Sequence, residues 1–170
     1  MKVQLIIFDM DDTLLDTTSL LIPIARTPAF EDRIRQPLPL MFGAKENLEA
    51  LSKKYQLALL TQGRPEAQKQ KVASLGIGPY FKKMYFADPS RAESKSLFFS
   101  QALRDFSLPA GQILSIGNRR STDIREAKKL GMQTCLFLYG EHLNDPIEVP
   151  EDRPDFEVRS HQELIKICQL

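Results

Sequence analysis

Short apolar runs alternate along this chain with stretches in which apolar residues recur every three or four positions. The first run, "VQLIIF" over 3–8, is almost continuously apolar. A strand buried on both faces of a parallel sheet has this composition, whereas a strand with one solvated face alternates. Similar runs follow at 55–61 ("YQLALLT"), 83–87 ("KMYFA"), 112–117 ("QILSIG") and 133–139 ("QTCLFLY"). Between them the period is helical. "AKENLEALSKK" (44–54) sets Leu48 and Leu51 on one face, and "EAQKQKVASLG" (66–76) ends on Gly76. "SRAESKSLFFSQALRDF" (90–106) opens with Ser90 and Glu93 at capping-box spacing. "STDIREAKKLG" (121–131) aligns Ile124, Ala127 and Leu130 before Gly131. Strand–helix alternation needs crossover connections, so the pattern predicts an α/β fold. The expected form is a doubly wound, mainly parallel sheet with helices on both faces.

Composition narrows the class. The chain has 170 residues, which suits a single domain over 1–170 with its own core. At 42% hydrophobic and 26% charged it reads as a soluble globular protein. A formal net charge of +1 carries no nucleic-acid signal. No apolar stretch is long enough to span a bilayer, and the N-terminal run is too short for a signal peptide, so the expected compartment is the cytoplasm. Cys135 and Cys168 are expected as reduced thiols. His142 and His161 have no partner at a zinc-ligand spacing.

Chemistry enters at the strand ends. "LIIFDMDDTLLD" (5–16) passes from an apolar run into Asp9, Asp11, Asp12 and Asp16. Like charges this close repel one another unless something compensates them. In parallel α/β sheets ligands sit beyond the carboxyl ends of the strands. Those ends supply Asp9 and Asp11 after the first run, Thr61 after the second and Asn118 after the fourth. Asp123 and Lys95 come from the helices that follow. Carboxylates, a hydroxyl and an ammonium group gathered at one edge suit a divalent cation and a phosphoryl group. Asp12 and Asp16 are read as turn-forming or solvated residues.

In order and spacing, "FDMDDTLLDT", "LLTQG", Lys95 and "IGNRRSTDI" resemble the four motifs of the haloacid dehalogenase-like (HAD) hydrolases. The tail "RPDFEVRSHQEL" looks like the closing strand and helix common in that family, so the resemblance covers nearly the whole chain. It implies a Rossmann-like core and a magnesium-dependent phosphatase that works through an aspartyl-phosphate. Asp9 would be the nucleophile. Asp11 would protonate the leaving oxygen and then activate water, a role that calls for a raised pKa. Thr61 and Lys95 would hold the phosphoryl oxygens. Beside that resemblance, Gln62 and Arg64, just past Thr61, are candidate substrate contacts, Arg64 equally a solvated residue. Mg2+ would be held by Asp9, the Asp11 carbonyl, Asn118 and Asp123. Asp11 also separates reaction types, because a halide leaving group needs no acid and dehalogenating members lack this aspartate.

Two features set this chain apart from the usual pattern. The fourth motif commonly has an acid where this chain has Asn118, which removes one negative charge from the metal site. The family's cap insertion points hold only the proline-rich segment 17–42, expected as a short flap, and the stretch between Thr61 and Lys95. No substantial cap domain is therefore expected. The site should be open to a phosphorylated small molecule or macromolecule, or be covered by a second copy in a homo-oligomer. Arg26, Arg33 and Arg35 are candidates for its entrance, while Arg119 and Arg120 are read first as a solvated loop and second as guides for an anion. The competing reading is a HAD-derived phosphate-binding or regulatory module with little turnover.

Overall fold

Six parallel strands form one sheet in the order β3-β2-β1-β4-β5-β6. In this computed structural model, which describes residues 2–170, β1 (Leu5–Phe8) is followed by α1 (Thr17–Leu20), α2 (Pro28–Arg35) and α3 (Ala44–Leu51). Next come β2 (Gln56–Gln62), α4 (Pro65–Leu75), β3 (Lys83–Ala87), α5 (Lys95–Phe106) and β4 (Ile113–Gly117). The chain closes with α6 (Arg125–Lys129), β5 (Gln133–Phe137), β6 (Phe156–Val158) and α7 (His161–Ile167). The sheet is thus the doubly wound parallel one that the apolar runs predict.

Burial explains why those runs are so apolar. β1 lies between β2 and β4, and its side chains alternate between two cores. Ile6 and Phe8 join Leu48, Leu59, Ile116 and Leu164 on one face. Leu5 and Ile7 join Leu60, Phe99, Ala102 and Ala127 on the other. Each fully buried side chain of this size contributes about 1.5–3 kcal/mol. Cys135 and Cys168 are both free and buried.

Two expectations change. The helix expected from Ser90 begins at Lys95, behind Ser94. Asp88 instead caps a 3-10 turn over Pro89–Arg91, accepting from Ser90 N at 2.9 Å. Glu93 turns back to accept from Asp88 N at 3.0 Å, and Ala92 adopts a left-handed φ of 56° that ends the turn. These local bonds outcompete the capping box. Segment 17–42, expected as a flap, packs as part of the core: Leu21, Ile34 and Leu38 are buried in it. Ser74 Oγ on α4 donates to Ile34 O at 2.5 Å, and Leu38 N donates to Ser74 O at 3.0 Å.

The winding direction reverses between β1 and β4, because the chain moves outward to β3 before returning to β4 on the other side. This switch point opens a crevice at the carboxyl ends of β1 and β4. The loop after β1 is tied down from below. Buried His161 on α7 meets Thr13 O through Nε2 at 2.7 Å and Asn47 Nδ2 through Nδ1 at 3.2 Å.

Candidate active site

A cavity of about 190 Å3 lies at that switch point, with Asp9, Asp11, Lys95, Asn118 and Asp123 in its wall. Asp9 follows β1 directly and its N–H donates to Ile116 O of β4 at 2.8 Å, which holds it at the crevice. Lys95, the first residue of α5, reaches in from the other side. Its Nζ donates to Asp9 Oδ1 at 2.6 Å and to Asp123 Oδ1 at 2.5 Å. All three side chains are buried. Asp123 sits on a π-turn over Arg120–Ile124, and its Oδ2 accepts from Arg119 N at 3.0 Å. Its carboxylate lies flat against Gly117, where a Cβ would collide with it, so this position of β4 must be glycine.

Two carboxylates around one ammonium leave an excess negative charge in a dry setting, and the proton affinities follow. Burial is the main cause that raises the Asp9 carboxyl to about 7, and the Asp123 and Asp11 carboxylates add to it while Lys95 partly offsets it. Burial alone would push Lys95 down, but Asp123 and Asp9 outweigh it and hold the ammonium more firmly than an ordinary lysine.

Asp11 departs from expectation. Its carboxylate accepts from Thr17 Oγ1 at 2.5 Å, Lys71 Nζ at 2.8 Å and Gln68 Nε2 at 2.9 Å. Burial works to raise its pKa, but the Lys71 charge and these hydrogen bonds outweigh it, and the carboxyl is held below the usual carboxylate range. The raised acid is Asp9 instead. Gln68 and Lys71 were not singled out from sequence. A signal existed: both lie on the α4 face that carries Ala67, Val72 and Leu75, and a buried lysine on an apolar helix face needs a partner.

The remaining positions divide. Thr61 is fully buried, its Oγ1 accepts from Gln68 Nε2 at 2.5 Å, and it is Gln62 that reaches the wall. Arg64 pairs with Glu31 beside a separate depression between α2 and α4, away from the cavity. Arg119 lines the cavity, whereas Arg120 pairs with Glu157 at 3.3 Å. From segment 17–42 the wall takes Thr17 and Ile22, not the arginines. Asp12 accepts from Thr18 N at 2.8 Å and Thr18 Oγ1 at 2.7 Å, and Asp16 caps α1 through Ser19 N at 2.9 Å, both as turn formers. Glu141 and His142, after β5, complete the mouth and were not anticipated as site residues.

The donor set fits magnesium. Among the described residues no cluster of three or more His, Cys, Asp or Glu side chains is arranged to hold a metal. Asp9, Asp11, Asn118 and Asp123 all line the cavity, and carboxylate, carbonyl and amide oxygens are the hard donors that magnesium takes while keeping several waters. Asn118 Nδ2 leans toward Tyr139 O at 3.4 Å, which turns its Oδ1 the other way.

In this crevice an aspartate pair follows the first strand and Lys95 bridges Asp9 to Asp123 after the fourth, an arrangement suited to a phosphoryl group. The HAD-hydrolase-like family model matches residues 93–164. The glyceraldehyde 3-phosphate phosphatase of Pyrococcus furiosus is 23% identical over 227 residues, covering 99% of this chain and 94% of its own length. Its counterpart in Pyrococcus abyssi is 26% identical over 226 residues, covering 98% and 94%. These alignments run longer than the 170 residues of this chain, so both relatives carry insertions that it lacks. The HAD-hydrolase YfnB of Bacillus subtilis, solved bound to magnesium, superposes with a TM-score of 0.73 at 19% identity over 100% of both chains. The chain is thus similar over nearly its whole length to haloacid dehalogenase-like hydrolases, phosphatases among them, and among the described residues there is no separate cap. Among the described residues no helix is long and apolar enough to cross a membrane.

Proposed function

We propose that this chain is a magnesium-dependent phosphoric monoester hydrolase that works through an aspartyl-phosphate on Asp9. The observation that carries the reading is the contact between Lys95, Asp9 and Asp123, at 2.6 and 2.5 Å, at the carboxyl edge of the sheet. It supplies a nucleophile, a fixed cation and a second carboxylate within one small crevice. Asp9, Asp123, Asn118 and the Asp11 carbonyl would hold the magnesium, which when bound neutralises phosphoryl charge and so lets the ionised Asp9 approach phosphorus.

The chain's own groups do the rest. An Asp9 carboxylate oxygen forms a bond to phosphorus as the bond to the leaving oxygen breaks, and Asp11 gives that oxygen its proton. Water then attacks the phosphorus, Asp11 takes the water's proton, and the Asp9–phosphorus bond breaks to release phosphate. Lys95 offsets charge on the phosphoryl oxygens throughout. In the free protein Lys71 keeps Asp11 in its carboxylate form. A phosphate dianion entering beside it raises its proton affinity, so Asp11 gains its proton as the ester binds.

Asn118 favours one competing reading, a phosphate-binding module with little turnover, because a neutral amide weakens the cation site. The deciding experiment is hydrolysis of p-nitrophenyl phosphate and a panel of metabolite phosphates, with and without magnesium, by the wild type and Asp9→Asn. Magnesium-dependent turnover that disappears in Asp9→Asn is expected. Phosphate binding without turnover would favour the module.

A further inference from the structure

The mouth of the cavity is finished by a loop that the reaction scheme above does not use. Residues 140–145 follow β5 and are locked onto the loop after β1. Thr18 Oγ1 donates to Asp12 Oδ2 at 2.7 Å and accepts from Glu141 N at 3.0 Å. Gly140, at a φ of 76°, lies so close to the Asp12 carboxylate that a Cβ there would overlap it. Glu141 and His142, which line the same cavity as Asp9 and Asp11, are therefore tied to Asp12 through Thr18 at the start of α1.

His142 is oriented as well as placed. Its Nδ1 lies 3.0 Å from Asp145 Oδ2. A carboxylate only accepts, so Nδ1 carries the hydrogen, and in the neutral ring Nε2 is left as an acceptor. Glu141 Oε1 is 3.5 Å from Nε2, so with the ring neutral the two acceptors stand side by side. Besides Asp9, Asp11, Asp123 and Lys95, the charged side chains of the cavity wall are the Asp12 and Glu141 carboxylates and the Arg119 guanidinium.

From this we infer that Glu141 and His142 form the leaving-group subsite, with Asp145 as the residue that positions His142. The subsite selects short, uncharged leaving groups bearing neighbouring hydroxyls. The inference rests on the phosphatase reading and gives it a substrate class. Adjacent acceptors match hydroxyl donors, whereas a carboxylate on the leaving group would face Glu141 and Asp12 with Arg119 in compensation, the wall's other cation, Lys95, being already bonded to Asp9 and Asp123. Size agrees: about 190 Å3 is below the roughly 300–1,000 Å3 of pockets that enclose drug-sized ligands, so the phosphoryl group leaves room for a chain of a few carbons.

The test compares kcat/KM for glycerol 3-phosphate, 3-phosphoglycerate and p-nitrophenyl phosphate in saturating magnesium. The wild type should prefer glycerol 3-phosphate to 3-phosphoglycerate by about tenfold or more, the usual effect of an unpaired or repelled polar group at a specific contact. Glu141→Gln should bring that ratio toward unity by lowering KM for 3-phosphoglycerate. His142→Phe should lose about tenfold more on glycerol 3-phosphate than on p-nitrophenyl phosphate, and Asp145→Asn should show the same bias more weakly, mainly in KM. Equal losses on all three substrates, or a wild type that prefers the carboxylated ester, overturn the subsite while leaving the phosphatase intact. A wild type that hydrolyses none of them overturns both.

Discussion

Replacing Asp9 by asparagine should stabilise the protein when no divalent cation is present. In the folded state the Asp9 carboxyl is raised from 3.8 to about 7, chiefly by burial, with Asp123 and Asp11 adding and Lys95 offsetting part. A folded pKa above the unfolded one means that folding takes up a proton. The contribution to stability is therefore fully present below about pH 4 and is lost as pH rises through about 7. Above that range the ionised Asp9 costs roughly 4 kcal/mol, at about 1.4 kcal/mol for each pH unit separating the two pKa values. Asparagine has the same shape and no charge, and Lys95 keeps Asp123 at 2.5 Å as a partner. Some of the gain is lost with the charged hydrogen bond from Lys95, so Asp9→Asn should be more stable than the wild type at pH 8 by roughly 2–4 kcal/mol. The difference should shrink toward zero near pH 4. Urea unfolding in excess chelator at pH 5 and pH 8 measures it. Millimolar magnesium should then stabilise the wild type by its binding free energy and the variant much less, reversing the order. A variant no more stable than the wild type at pH 8 without metal would refute the reasoning, because Asp9 would then not be an uncompensated buried charge. The trade-off is general: groups arranged to bind a cation repel one another without it.

Three further outcomes follow from other contacts. Lys71→Met removes the ammonium 2.8 Å from Asp11, so the pH profile of kcat/KM for an alkyl phosphate should move to higher pH; superimposable profiles would exclude Lys71 from control of Asp11. Asn118→Asp restores a charge worth several kcal/mol at an effective dielectric near 20, less its desolvation, and should lower the magnesium concentration for half-maximal activity about tenfold. An unchanged midpoint in the magnesium titration would make Asn118 a bystander. Ile34→Ala, in the segment between α1 and α3, should cost roughly 2–5 kcal/mol in urea unfolding, and a loss under about 1 kcal/mol would show that this segment is detached from the core.

The runs of β1, β2, β4 and β5 were legible as strands because a parallel strand buried on both faces must be nearly continuously apolar, a local demand that composition satisfies locally, whereas the edge strand β3 exposes Lys83 and Met84. Asp9, Asn118 and Asp123 were legible for a related reason. Each lies within a few residues of a strand's carboxyl end, so locating the strand also located the group. The start of α5 was misjudged where two local solutions competed, and Asp88 with Ala92 prevailed over Ser90 with Glu93. What periodicity could not reach were the pairings between distant segments. Asp11 meets Lys71 across 60 residues and Gln68 across 57, and Thr18 meets Glu141 across 123. Those contacts decide which aspartate has the raised pKa, why Thr61 is turned inward and which residues guard the mouth. A side chain's partners and proton affinity depend on what packs against it from other elements, and only the folded arrangement of α4 and the β5 loop around the β1 turn sets them.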